Sequence, residues 1–148
     1  MHVSDEELAG AVLRASRVFV AVAARSAAQV DGGITLPQYR ALVVLASRGP
    51  LRPTELAEAL AVHPSTVTRL CDRLVAKRLG HRSQAPWSRR EILIRLTPKG
   101  RRLVDQATAR RRDGIAEIIA KIPAREREAM ARALHSLGEA ASEPVERA

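Results

Sequence analysis

Ser65, Thr66, Thr68, Arg69 and Arg73 sit within a short segment, with His63 just ahead of it and the pair Arg89-Arg90 further on. Short hydroxyls donate and accept hydrogen bonds, and guanidinium forks match phosphate oxygens and guanine edges. Together these side chains suit a polyanionic partner. Catalysis lacks a comparable constellation. His2, His63, His81 and His135 are dispersed, and there is no His-Glu-x-x-His pair, glycine-rich phosphate loop or nucleophile elbow. Cys71 is the only cysteine, so no intrachain disulfide or Cys-x-x-Cys metal site can form. The expectation is a binding protein with no catalytic residues, no cofactor and no metal.

The elements that must position these groups follow from periodicity. Thr54 to Leu70 reads as two short helices joined by a tight turn. Leu56, Ala57 and Leu60 share one face of the first helix. Val67, Leu70, Cys71, Leu74 and Val75 recur at helical spacing on the second. Small Ala57 permits a close approach, and Pro64 suits a first helical turn because its missing N–H would be unpaired there. The pattern is a helix-turn-helix with residues 64–77 as the recognition helix, its outer face carrying the hydroxyls and arginines. Leu79 to Ser83 and Glu91 to Leu96 read as a hairpin, with Gln84 to Arg90 forming a basic tip. This wing spans 83–91, and it must lean on the helices because two strands alone are marginal.

Outside this lobe, Ser4 and Glu7 have capping-box spacing and open a helix of residues 5–29. Leu8, Ala11, Val12, Ala15, Phe19 and Val22 form its apolar stripe. Thr35 to Gln38 starts a second helix that Gly49-Pro50 stops. Thr97-Pro98 starts a long helix of residues 98–120, Pro123 restarts the chain, and Glu139 to Ala148 reads as a frayed tail. The fold class is mainly α with a small β-hairpin wing. Residues 1–34 form an N-terminal dimerisation helix, 35–98 the winged helix-turn-helix lobe, and 99–148 the C-terminal dimerisation helices. The apolar sides of the terminal helices call for a second copy of the chain, and twofold pairs are the commonest assembly.

The chain has 148 residues and a net charge of +9. From His63 to Arg112 there are 14 Lys/Arg against 3 Asp/Glu, whereas the rest of the chain has 11 against 13. The basicity therefore begins at the recognition helix, which favours double-stranded DNA as partner. With Phe19, Tyr39 and Trp87 as the only aromatics, a single-strand or RNA binder built on stacking is disfavoured. Trp87 suits either a wedge against DNA or a tuck against the wing. Cys71 lies on the apolar stripe and reads as structural. No segment is long enough to span a bilayer and the acidic start lacks a signal-peptide pattern, so a cytoplasmic protein without membrane association is expected. The other classes left open are a nonspecific or architectural DNA-binding protein and a basic helical module for protein interaction.

The residues Thr35 to Arg40, Gly49-Pro50-Leu51, Glu55-Leu56-Ala57, Pro64 to Leu70, Asp72-Arg73-Leu74, Arg89-Arg90 and Leu96 to Gly100 resemble the MarR family of transcriptional regulators. The resemblance covers nearly the whole chain. It implies a winged helix-turn-helix homodimer on near-palindromic promoter DNA, usually a repressor released by a small aromatic or phenolic effector or by cysteine oxidation. By position, the family's recognition-helix contacts fall on Ser65, Thr66, Thr68, Arg69 and Arg73, and its wing arginine on Arg90, beside Arg89. The implied effector pocket lies between the lobe and the dimer helices, with Tyr39 and Arg17 as candidate residues; Arg14, Arg25 and Arg40 are further cations near it. The chain departs from the family pattern at several places. Ser88 and Trp87 replace commonly acidic wing residues. Arg52 and His63 replace capping hydroxyls, which predicts two weak caps. Ala61 and Arg78 replace glycines, which predicts altered backbone turns.

Overall fold

Ser4 opens the first helix: its hydroxyl oxygen accepts the Glu7 N–H at 3.2 Å, while the Glu7 carboxylate accepts the Ser4 N–H at 2.9 Å. These donors hold the Glu7 carboxyl below its ordinary pKa, the backbone N–H of Ser4 contributing most. The computed structural model describes residues 2–142. Its elements are α1 (Asp5–Ala28), α2 (Leu36–Arg48), α3 (Pro53–Leu60), α4 (Pro64–Ala76), β1 (Gly80–Ala85), β2 (Ser88–Leu96), α5 (Pro98–Ile119) and α6 (Ala124–Ser142). They form six helices with a two-stranded antiparallel hairpin, a winged helix-turn-helix fold. The chain divides into two compact units, Met1–Arg112 and Asp113–Ala148.

In the first unit a continuous apolar core runs from Ala27 and Val30 through Leu42 and Leu45 of α2, Leu56 and Leu60 of α3, and Val67, Leu70, Cys71 and Leu74 of α4. Ile94 of the wing and Leu103, Val104 and Ala107 of α5 complete it. Thr35 and Gln38 form a second reciprocal cap, at 3.3 and 3.1 Å, that starts α2. Leu51, just before α3, exchanges backbone hydrogen bonds with Ile94 at 3.0 and 2.8 Å, so the base of the wing is tied to the start of the helix-turn-helix.

The hairpin is longer than the sequence pattern predicts. β1 reaches Ala85 and β2 begins at Ser88, so Arg89 and Arg90 lie on a strand beside the turn and not in a loop. The reason is a break in register. Gln84 pairs with Ile92 but Ala85 pairs with Ser88, which leaves Arg89, Arg90 and Glu91 without cross-strand partners. The turns at Ala61 and Arg78 are likewise not altered. Ala61 (φ 54°) and Arg78 (φ 61°) keep the left-handed conformation that glycine would adopt, because the bonds Val62 N–H to Ala57 O (3.1 Å) and Leu79 N–H to Leu74 O (2.9 Å) close the preceding helices there.

In the second unit α6 stays helical to Ser142, further than the expected fraying at Glu139, since Glu139, Ala140 and Ala141 are good helix formers. The rest of the expected tail, 143–148, lies outside the described residues. Residues 124–141 are all exposed in the single chain, Met130, Leu134 and Leu137 among them.

Two substitutions test this backbone. A Cβ on Gly100 would sit 2.2 Å from the Leu79 carbonyl oxygen, where only main chain could yield. Gly100→Ala should cost about 1–3 kcal/mol or more in urea unfolding; an unchanged midpoint would contradict the close approach. Ala61→Gly should stabilise by about 0.5–1 kcal/mol by relieving the left-handed turn, and a loss of stability would contradict it.

Candidate nucleic-acid interface

Helix α4 is held by its apolar face. Val67, Cys71 and Leu74 are almost completely buried and Leu70 nearly so. At 3.6 residues per turn, Ser65, Thr66, Thr68, Arg69 and Arg73 must then face outward, and all five are exposed. Both ends of the helix are fixed. His63 caps the start after all, its Nδ1 accepting the Ser65 N–H at 3.1 Å, which overturns the expected weak cap. Arg52 fits the expectation better, with no side-chain cap, though the Glu55 carboxylate accepts its N–H at 3.0 Å. At the far end the Lys77 ammonium donates to Gly33 O and Gln38 Oε1, both at 3.1 Å, anchoring α4 to the turn between α1 and α2. An Asp72–Arg82 ion pair joins α4 to β1.

The outward side chains differ in what they have free. Thr68 spends its hydroxyl proton on Pro64 O at 3.2 Å, leaving a methyl group and oxygen lone pairs. The Ser65 hydroxyl is 2.8 Å from His63 Nδ1. Thr66, Arg69 and Arg73 have no side-chain hydrogen bond or ion pair among the described residues, and they line an open groove of about 480 Å³ with Thr35, Pro37 and Leu70. Arg89 and Arg90 are exposed and likewise unpaired among the described residues. The Ser88 hydroxyl accepts the Arg90 N–H at 3.2 Å, so it shapes the bulge instead of steering a guanidinium. All eight residues singled out for nucleic acid are thus surface groups of one unit, on α4, its cap and the wing. Thr35 and Pro37 join the groove without having been foreseen, because α2 is distant in sequence and its N-terminus gives no periodic signal for such a role.

The candidate effector residues separate. Tyr39 is buried, with its hydroxyl 2.9 Å from Thr108 Oγ1, and it borders a cavity of about 400 Å³. Ser16, Phe19, Val20, Ala23, Leu36, Arg40 and Arg111 line the rest. Arg17 is exposed on α1 and is not among the lining residues; Arg111, which the sequence did not mark for this role, is, and its buried Nε has no hydrogen-bond partner among the described residues. No cluster of side chains suited to a metal ion occurs among the described residues, and no helix among them is long and apolar enough to cross a membrane.

Comparison with known proteins bears on this geometry. Residues 34–92 match the MarR family profile. The structure of RV1404 from Mycobacterium tuberculosis has 44% sequence identity and a TM-score of 0.86, covering 99% of this chain and 100% of that one. The HTH-type transcriptional repressor MdtR of Bacillus subtilis is 40% identical over 68 residues, 46% of this chain and 44% of its own. BpsR of Bordetella bronchiseptica, whose DNA binding is regulated by 6-hydroxynicotinic acid, has a TM-score of 0.67 at 26% identity, covering 89% of this chain and 98% of that one. The chain spans about half the length of the curated relatives it matches.

Cys71 completes the region. It is 1% exposed, and burial pushes its thiol pKa up, with Arg82 nearby opposing the shift and Asp72 adding to it. A thiol with little thiolate is a poor nucleophile. Folded protein at pH 8 should therefore react with an aromatic disulfide reagent more slowly than urea-unfolded protein by about two orders of magnitude or more; equal rates would contradict a structural Cys71.

Proposed function

The chain belongs to the MarR family of helix-turn-helix transcriptional regulators, a non-enzymatic family, and from that premise we propose that it is a sequence-specific, homodimeric repressor of promoter DNA released by a small-molecule effector. One observation carries the reading: Thr66, Arg69 and Arg73 are exposed on one face of α4 and, like Arg89 and Arg90 on the wing of the same unit, are unpaired among the described residues. Cations without internal partners favour a partner that supplies negative charge. In this reading α4 enters the major groove, where Thr66 and Arg69 face base edges and Arg73 a phosphate. Ser65 and Thr68 present their remaining lone pairs, and the exposed His63 imidazole meets the phosphate backbone. The wing sets Arg89 and Arg90 at the minor groove.

Dimerisation rests on unburied apolar surface. On α1, Leu8, Val12 and Leu13 are exposed; on α6, Met130, Leu134 and Leu137 are. Each face favours cover by a second copy, to which segments 1–34 and 99–148 contribute their exposed apolar residues while Ala27, Val30, Leu103, Val104 and Ala107 pack into the lobe's own core. Repression is supported by likeness to a repressor, and effector release by likeness to a protein regulated by an aromatic acid. The cavity beside Tyr39 has a phenol hydroxyl, apolar walls and the guanidinium of Arg111, which suit an aromatic or phenolic effector.

The direct test is selection of genomic duplex fragments by the purified protein, followed by affinity measurement on the recovered site. A preferred site with strong discrimination against scrambled duplex is expected. Binding to all duplexes alike would favour an architectural protein, and no binding at low salt a protein-interaction module. On the recovered site Arg69→Ala should cost about 1–3 kcal/mol and relax specificity; unchanged discrimination would remove it from base readout. Arg90→Ala should weaken all duplexes evenly and reduce the slope of log K against log salt by about one; an unaltered slope would exclude it. Sedimentation should find a dimer at micromolar concentration, and a folded monomer would contradict the pairing.

A further inference from the structure

Arg52 and Trp87, two positions where the chain departs from the family pattern, contact each other. The Arg52 guanidinium carbon lies 5.8 Å from the centroid of the Trp87 ring, within cation–π range. Glu91 closes the triangle: one carboxylate oxygen is 3.5 Å from Arg52 Nε, and the other accepts the Trp87 indole N–H. Arg52 precedes α3, and its neighbour Leu51 is bonded to Ile94 of β2. The cluster therefore extends the wing's attachment from the hairpin base toward its tip.

We propose that Arg52, Trp87 and Glu91 form a latch that positions Arg89 and Arg90 for DNA, an inference that rests on the DNA-binding reading above. Trp87 and Glu91 bracket the two arginines, and Arg89, Arg90 and Glu91 have no cross-strand partners in the ladder. The backbone that carries the arginines is thus not held by regular sheet bonds. Trp87 is 62% exposed, so burial does not fix it either. Besides the Ser88 hydroxyl that accepts the Arg90 N–H, the polar and cation–π contacts among Arg52, Trp87 and Glu91 remain, and they tie both ends of the bulged segment to the start of α3. In this role Glu91 is a negative charge that aids binding to a polyanion, since it holds the arginines in place.

That reversal of sign provides the test. Trp87 is the only tryptophan, so its fluorescence reports the latch without DNA. Arg52→Met and Glu91→Ala should each raise acrylamide quenching of Trp87 by about 1.5-fold or more while the thermal midpoint moves little, since exposed contacts of this kind are weak. Unchanged quenching in both variants would overturn the latch. On the duplex selected with the wild-type protein, Glu91→Ala should weaken binding by about three- to tenfold, the scale of one such contact, although it removes a charge that repels phosphate. Equal or tighter binding would overturn the proposal. The double variant should bind no more weakly than the worse single variant, because both break one unit; additive losses would make Arg52 an independent phosphate contact and overturn it too. A wild-type protein that binds no duplex would refute the DNA reading, while the quenching result still decides whether the latch exists.

Discussion

The burial of one face of α4 is the constraint on which the rest of the molecule depends. Val67, Leu70, Cys71 and Leu74 seal a core shared with α2, α3, the wing and the start of α5. A helix cannot bury that stripe without turning its opposite side to solvent, and that side holds Thr66, Arg69 and Arg73. The same apolar contact that makes the lobe stable therefore sets the direction of its polar groups. The anchors at either end, the His63 cap and the Lys77 bridge to Gly33 and Gln38, fix how far the helix can slide or rotate. Orientation of this kind costs nothing at the moment of binding, since folding has already ordered the backbone.

The wing solves a different problem. Two strands need outside support, and here it includes the burial of Ile94 in the core, the backbone bridge between Leu51 and Ile94 and the Asp72–Arg82 ion pair to α4. The register break at Ser88 then frees Arg89 and Arg90 from the ladder. A regular strand would alternate its side chains between two faces; a bulge relaxes that rule, and here the adjacent Arg89 and Arg90 are both exposed. The lobe thus combines a rigid cationic helix with a looser cationic strand, both on one compact unit.

Most of the fold was legible in the sequence because the signals were local. Capping pairs at Ser4/Glu7 and Thr35/Gln38, the prolines at helix starts and the spacing of Val67, Leu70, Cys71 and Leu74 all act within a few residues. What escaped was set by contacts between distant segments. The register of the hairpin breaks between Gln84 and Ala85, where Ala85 pairs with Ser88, so the extent of β2 and the position of Arg89 and Arg90 on it were not readable from alternation alone. The turns at Ala61 and Arg78 kept glycine-like geometry because surrounding hydrogen bonds outweigh the roughly 1 kcal/mol of local strain. His63 caps a helix although it is a poor sequence signal for that task, since an imidazole nitrogen serves where a hydroxyl is expected. Of the candidate site, the groups on α4 followed from periodicity. Arg111, at the cavity, could not be found, because nothing in its run of three arginines marks one as inward.

The central claim is that two copies of this lobe present α4 to successive major grooves of one duplex. Hydroxyl-radical footprinting of the wild-type protein on its selected site measures that most directly. The account predicts two symmetric protected regions about one helical turn apart, with protection of the minor groove on the outer flanks of each. A single unpaired footprint, or uniform protection without a twofold centre, would contradict it.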